Sequence, residues 1–485
     1  MPKMTRRKLI NSAAATSVTL ALGQQGAFAR TPPKQPNIIF ILADDLGYAD
    51  LSCYGLSEMH TPNIDRIAAG GLRFLQAYAN SAVCSATRTA LITGRYQYRL
   101  RLGLEEPLAG AGKTVGLPPE MPTIPSLLKK LGYGTTLVGK WHMGELPKFG
   151  PLQSGYDHFY GFRGGALDYY AHQGPDHHDD LWDDDMPIHK VGYSTELFGD
   201  RAISVIEGYA KARQPFFLSL HFNAPHWPWE APGDEAESQR LAAKSLFDFD
   251  GGSLATYRRM VQAMDAQIGR ILRTLETKGI VDDTIVVFTS DNGGERFSNT
   301  WPFTGHKTEL LEGGLRIPAV IRWPGRISAG RTHEQVMASM DWLPTLLAAA
   351  GGAPDPAYPP DGMNLLPVLT ANPAPVPRKL FWRYKANAQR AARDGDWKIL
   401  KMLDKTFLFN VVADPLERAN LRDRHRDIYD RMVAAWTEWN KDMLPEVRES
   451  FTDSFDSGQL ADHFGSQKAS GEPDLEKTFP QQGQR

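Results

Sequence analysis

The chain has 485 residues, a formal net charge of -2, and 42% hydrophobic against 23% charged residues, a composition that allows a large buried core in an ordinary globular protein. That near-neutral balance argues against nucleic acid as the main partner, because counterion-driven binding needs a basic surface. Two cysteines, Cys53 and Cys84, are too few for a disulfide framework.

Residues 1–29 combine a basic start containing Arg6-Arg7, a weakly apolar Ala-rich middle and the small-x-small phrase Ala27-Phe28-Ala29. This reads as a signal peptide, with the arginine pair pointing to the twin-arginine route and a periplasmic or secreted protein. No later stretch is long and apolar enough to span a bilayer. The run Asn37-Ile38-Ile39-Phe40-Ile41-Leu42-Ala43 is a buried parallel strand that delivers Asp44 and Asp45 at its C-terminal end, the edge where sites lie in open α/β sheets. Two acids there serve equally well as a turn with a helix cap or as metal ligands. A helix starts at Thr61-Pro62-Asn63.

Residues 81–95 pass from small polar residues into a short helix that stops at Gly94, with Cys84 near its N-terminus and Arg88 on the same face. Taken alone, a single cysteine before an apolar helix is a small buried residue. A Gly/Pro-rich loop leads to a helix at 124–131 and a strand at 135–139, and Lys140 and His142 follow on one side of the strand end. Residues 150–192 read as a polar, solvent-facing loop without diagnostic ligand spacing. A helix at 195–212 precedes a buried strand at 215–220, after which come His221 and His226.

The 257–278 segment carries a core-facing helical stripe. Thr284-Ile285-Val286-Val287-Phe288-Thr289-Ser290 then repeats the opening theme, a buried strand ending in oxygen ligands, Asp291 and Asn292. Two such strand ends can supply Asp44, Asp45, Asp291 and Asn292 to one cation, and an all-oxygen set suits Ca2+, with Mg2+ second, over zinc. A phrase containing Lys307, a strand at 319–323 and a helix near 340–349 complete a large α/β unit spanning 37–375. A Pro/Gly/Ala-rich join leads to a smaller α+β unit at 376–445, made of short antiparallel strands and a helix near 428–439. Residues 446–485 form a polar tail.

Several phrases together resemble the type I sulfatases. Cys84-Ser85-Ala86-Thr87-Arg88 followed by Leu91-Ile92-Thr93-Gly94-Arg95 is similar to the signature whose cysteine is oxidised to formylglycine. Asp44-Asp45-Leu46-Gly47, Gly139-Lys140-Trp141-His142, Pro225-His226-Trp227-Pro228 and Gly305-His306-Lys307 match other family phrases in the family's order. The departure is Ala86, where the family most often has proline. The oxygen-dependent formylglycine-generating enzyme prefers the proline, whereas the radical maturase tolerates alanine.

The resemblance implies an alkaline-phosphatase-like fold and hydrolysis of a sulfate monoester, either an aryl sulfate or a sulfated carbohydrate. A hydrated formylglycine at position 84 would attack sulfur. The cation on Asp44, Asp45, Asp291, Asn292 and the residue-84 side chain would activate it, and Arg88, Lys140 and Lys307 would surround the sulfate. His226 would protonate the leaving oxygen and His142 would help expel sulfate, roles that are exchangeable at this level. Two alternatives keep the fold: a phosphonate or phosphate monoester hydrolase, and a calcium-dependent glycan-binding protein that stacks sugars on Trp227, Trp229 and Tyr169-Tyr170.

Overall fold

The computed structural model describes residues 35–55, 58–244, 246 and 251–446. The expected signal peptide and, apart from Glu446, the expected tail lie outside the described residues. In chain order the strands are β1 (Asn37–Ala43), β2 (Leu72–Phe74), β3 (Ala77–Tyr78), β4 (Gly134–Lys140), β5 (His158–Phe162), β6 (Trp182–Asp183), β7 (Met186–Pro187), β8 (Phe216–His221), β9 (Thr284–Ser290), β10 (Ala319–Arg322), β11 (Arg331–His333), β12 (Met337–Ala338), β13 (Lys379–Tyr384), β14 (Gln389–Asp394), β15 (Trp397–Met402) and β16 (Lys405–Asn410). The α-helices are α1 (Pro62–Ala69), α2 (Cys84–Thr93), α3 (Ile124–Lys129), α4 (Ser194–Ala212), α5 (Glu235–Ala242), α6 (Leu254–Lys278), α7 (Glu312–Leu315), α8 (Trp342–Ala349), α9 (Leu366–Ala371) and α10 (Arg426–Lys441).

Ten strands form one mixed sheet in the order β11-β2-β10-β9-β1-β8-β4-β5-β6-β7. Its centre, from β9 to β5, is parallel. The continuous apolar runs of β1 and β9 are explained by cover on both faces. Ile39 and Ile41 of β1 pack with Ile64, Phe198, Met264 and Ile268 of α1, α4 and α6 on one side. Ile38, Phe40 and Leu42 pack with Leu128, Trp342 and Leu346 of α3 and α8 on the other.

The stretch 150–192 departs from the expected loop. Within it, β5 pairs in parallel with β4 and extends the large sheet, and β6 and β7 add antiparallel edge pairs. Phe159 and Phe162 are buried, but the run His158-Phe159-Tyr160-Gly161-Phe162 is short and interrupted by glycine, so its strand character depends on the ladder that β4 offers. The expected C-terminal strands and helix are present as β13 to β16 and α10, in a separate antiparallel sheet. That sheet supports α2: Trp382 and Tyr384 share a buried cluster with Ala86 and Ala90, and the Trp382 indole N–H donates to the Ala79 carbonyl at 2.9 Å.

Candidate active site

Strand register assembles the site. Ala43 pairs with Ser290 across β1 and β9, so the next residues, Asp44 and Asp291, leave the sheet side by side. On the other side of β1, Leu42 pairs with His221 of β8, and Gly139 of β4 pairs with the same His221, which places Lys140 beside Asp44. Four strand ends thus converge, and α2 starts at their rim with Val83 as an extended N-cap and Cys84 as its first residue. The free N–H groups of that first turn favour negative charge near position 84.

Arg88, one turn along α2 and fully buried, donates through Nε and Nη2 to Asp291 Oδ2 at 3.0 and 2.8 Å and through Nη1 to the Lys140 carbonyl at 3.2 Å. Lys140 Nζ donates to Asp44 Oδ2 at 2.5 Å. Lys307 Nζ donates to Asp45 Oδ2 at 2.6 Å and to Glu295 Oε2 at 3.3 Å. Asp45 takes a left-handed backbone at φ 65, a conformation uncommon for a residue with a side chain, and this turns its carboxylate toward Lys307. Asn292 Nδ2 donates to Asp45 Oδ1 at 2.7 Å.

The histidines are set by their carbonyl partners. His142 Nε2 lies 2.7 Å from the Leu108 carbonyl, which only accepts, so Nε2 carries a proton and Nδ1 faces the Cys84 sulfur at 3.3 Å. A side chain at Gly165 would place its Cβ 2.7 Å from this ring, so glycine is needed there for the imidazole to pack. His226 Nδ1 donates to the Trp227 carbonyl at 2.6 Å, leaving Nε2 3.5 Å from Asp45 Oδ2. His221 contacts the Lys140 carbonyl at 3.2 Å through Nδ1.

Burial, reinforced by Lys140 for His142 and by Lys307 for His226, holds both imidazoles well below the usual histidine range, so they are neutral. Burial also pushes the Cys84 thiol up. Burial raises Asp44 well above the ordinary carboxylate value, and Asp291 adds to this against Lys140. For Asp45 the same burial is outweighed, chiefly by the Lys307 ammonium, which holds it low.

These residues fit a divalent cation. Asp44, Cys84 and Asp291 bring ligand atoms within 4.8 Å of one another, and so do Asp44, Asp45 and His226. Asp44 Oδ1 and Asn292 Oδ1 are buried without a hydrogen-bond donor, a costly state for polar atoms that a hard cation would relieve. Every residue expected from sequence to act or to bind metal, Asp44, Asp45, Cys84, Arg88, Lys140, His142, His226, Asp291, Asn292 and Lys307, lies in this one cluster.

Sequence reasoning missed Glu295, although it continues the Asn292-Gly293-Gly294 phrase and ion-pairs with Lys307. The Leu108 carbonyl, which orients His142, carried no signal in the sequence. The aromatic platform of the glycan-binding alternative is corrected: Trp227, Trp229 and Tyr169 are buried, with the Tyr169 hydroxyl bonded to the Asn223 and His226 carbonyls.

Residues 36–353 match the family model described as Sulfatase, and residues 305–441 match the model described as N-sulphoglucosamine sulphohydrolase, C-terminal. The chain is similar to N-acetylgalactosamine-6-sulfatase of Mus musculus, 33% identical over 409 residues that cover 79% of this chain and 75% of that protein. It is similar to arylsulfatase A of Homo sapiens, 32% identical over 442 residues that cover 82% and 80%. Among solved structures, Ps i-CgsB in complex with k-i-k-neocarrahexaose superposes with a TM-score of 0.76 at 30% identity, covering 92% of this chain and 100% of that one.

Proposed function

The chain belongs to the sulfatase family of the alkaline phosphatase superfamily, and on that premise we propose that this sulfuric ester hydrolase acts on a sulfated carbohydrate through a formylglycine made from Cys84. The observation that carries the reading is the setting of Cys84. Its sulfur heads α2, faces His142 Nδ1 at 3.3 Å, and lies in one buried cluster with Arg88, Lys140 and Lys307. Relatives named for N-acetylgalactosamine-6-sulfate and a neighbour bound to neocarrahexaose favour a sugar over a simple arene as the esterified alcohol.

Asp44, Asp45, Asp291 and Asn292 would hold Ca2+, with Mg2+ as the second choice. Formylglycine and the cation supply a hydroxyl nucleophile with a lowered pKa and, afterwards, a route to sulfate release. The protein's own side chains do the rest. Lys140 and Lys307 are fully buried cations whose ammonium groups are aimed into the cluster, where they stabilise charge that grows on the sulfate oxygens. Arg88 is held by Asp291 and positions it. His142, neutral with Nδ1 as acceptor, takes a proton from the residue-84 side chain. His226 presents an unprotonated Nε2 to the cluster; once that nitrogen takes up a proton from solvent, it would pass it to the departing alcohol oxygen.

We further read the first 29 residues as a twin-arginine signal that sends the folded enzyme to the periplasm or outside the cell after modification. Ala86 favours a radical maturase over the oxygen-dependent one. No described helix is long and apolar enough to cross a membrane. Two measurements test the proposal. Peptide mass spectrometry across Cys84 is expected to show a loss of about 18 Da, the stoichiometry of cysteine conversion to formylglycine. Parallel rates on the sulfate and phosphate esters of one phenol are expected to favour sulfate; an unmodified thiol in active enzyme, or faster phosphate hydrolysis, would overturn it.

A further inference from the structure

The loop between Glu295 and Lys307 begins and ends in the catalytic cluster, and its middle builds a second concavity. Ser298 Oγ and the Asn299 N–H donate to Asp50 at 2.8 and 2.9 Å, and Asp50 also accepts from the Gly47 N–H at 2.8 Å. Gly47 lies two residues beyond Asp45. At Gly294 a Cβ would fall 1.6 Å from Ser298 Oγ, so the catalytic strand end and this loop touch backbone to side chain. Above that floor is a cavity of about 530 Å3 lined by Asp50, Arg258, Phe297, Asn299 and Trp301, within the range of about 300–1,000 Å3 typical of small-ligand sites.

Its walls have a mixed chemistry. The indole of Trp301 is 56% exposed, among the most exposed large apolar side chains described. Arg258 pairs with Glu58 at 2.8 Å, which cancels the charge at the mouth and leaves little to attract a second anion. Phe297 packs edge-on against Trp229 at 5.0 Å, three residues after His226, so the wall of the cavity and the histidine loop are one packed unit. An exposed aromatic face beside the Asn299 amide and the Arg258–Glu58 pair suits the apolar face and the hydroxyls of a pyranose ring.

We infer that the Trp301 cavity is a subsite for a neutral sugar residue of the substrate, apart from the residue that carries the sulfate ester. The inference rests on the sulfated-carbohydrate reading above. Trp301 acts by binding, so its loss raises KM on long substrates and leaves the bond-breaking step alone. An aryl sulfate has no sugar to place in the cavity and does not sense Trp301.

The test compares wild type with Trp301→Ala on p-nitrophenyl sulfate and on two sulfated hexasaccharides, k-i-k-neocarrahexaose and a 6-sulfated N-acetylgalactosamine hexasaccharide. The expected result is a fall in kcat/KM of about tenfold on a hydrolysed hexasaccharide, carried by KM, with the aryl sulfate unchanged and partial recovery in Trp301→Phe. Equal effects on both substrate classes, or no effect on either, overturn the subsite. Wild-type hydrolysis of the aryl sulfate but of neither hexasaccharide overturns the subsite while leaving the sulfatase assignment standing. Failure on every sulfate ester overturns the functional reading itself.

Discussion

Two buried charge clusters are linked by the short segment from Lys307 to Glu312, and they differ in what their charged groups face. In the structural cluster, Glu312 accepts from Tyr78 at 2.7 Å, from Arg316 at 2.8 Å and from Lys398 at 3.0 Å. Lys398 also pairs with Glu417 Oε1 at 2.9 Å, and Glu417 Oε2 accepts from the Glu312 N–H at 2.6 Å. Arg393 completes the group by donating to Tyr78. These contacts tie α7 to β14 and β15 of the C-terminal sheet. Burial would raise Glu312, but Lys398 and Arg316 outweigh it and hold its carboxyl low. In the catalytic cluster Asp44 Oδ1 and Asn292 Oδ1 have no hydrogen-bond donor, as Glu417 Oε1 has none in the structural one, and left-handed backbone occurs in both, at Asp45 and His142 and at Glu417. Burial and charge are likewise common to both. What sets the catalytic cluster apart is its neutral histidines, one of them facing the Cys84 sulfur.

The comparison breaks most visibly at Cys84. Cys84→Ala is expected to lower turnover of p-nitrophenyl sulfate by about four orders of magnitude or more with unchanged circular dichroism; residual activity near wild type would remove Cys84 from the mechanism. Chelation comes next. Dialysis against EGTA and EDTA should abolish turnover and lower thermal stability, both recovering with Ca2+ more fully than with Mg2+. A ligand at a hundredfold excess over its Kd adds about 2.7 kcal/mol. A metal-free enzyme with full activity would contradict the use assigned to the unpartnered oxygens.

Lys307→Met should cost about a hundredfold to a thousandfold in kcat and also lower stability, because Asp45 and Glu295 lose their buried cation. Lys398→Met should reproduce only the second effect. It leaves Glu417 buried without its cation and takes one of two from Glu312, which keeps Arg316, a loss of about 3–5 kcal/mol read in urea melts, while the remaining folded enzyme keeps its kcat. If Lys398→Met reduced kcat as Lys307→Met does, the two clusters would not be separable.

The smallest effect sharpens the comparison with a third buried carboxyl. Glu230 accepts from the Tyr169 N–H at 2.8 Å, and burial, then the charge of Asp168, pushes its carboxyl up to about 10. It is therefore protonated in the folded protein at neutral pH. The sign follows from linkage: a raised native value gives stability that is present below the unfolded value of about 4.5 and lost as pH rises toward the native one. Glu230→Gln, which mimics the protonated acid, should flatten that decline and melt higher than wild type at pH 8 to 9. An unchanged pH slope would show Glu230 ionised in the fold.

Much of the site was legible before the fold. The repeated theme of an apolar run ending in Asp44-Asp45 and Asp291-Asn292 is a local property of the chain, because a strand covered on both faces must be apolar throughout and can change chemistry only at its end. The helix start at Cys84 and the stop at Gly94 follow from local backbone preferences, and Gly94 does take φ 68. The helical stripe in α6 and the four C-terminal strands were readable for the same reason. The short strand β5 was not, since five residues with a central glycine pair only where a neighbouring strand already waits.

Other features were decided by tertiary structure. Which strand ends stand together depends on the order β9-β1-β8-β4, a property of long-range pairing and not of any window of sequence. Lys307 pairs with both Asp45 and Glu295, the carbonyl that fixes His142 belongs to Leu108, and the aromatic residues around His226 are core and not platform. Each of these facts joins groups far apart in space until the chain closes. Hydrophobic periodicity fixes an element and its face, whereas register, loop packing and the low dielectric of the closed interior decide which charges meet and which oxygens are left for a cation.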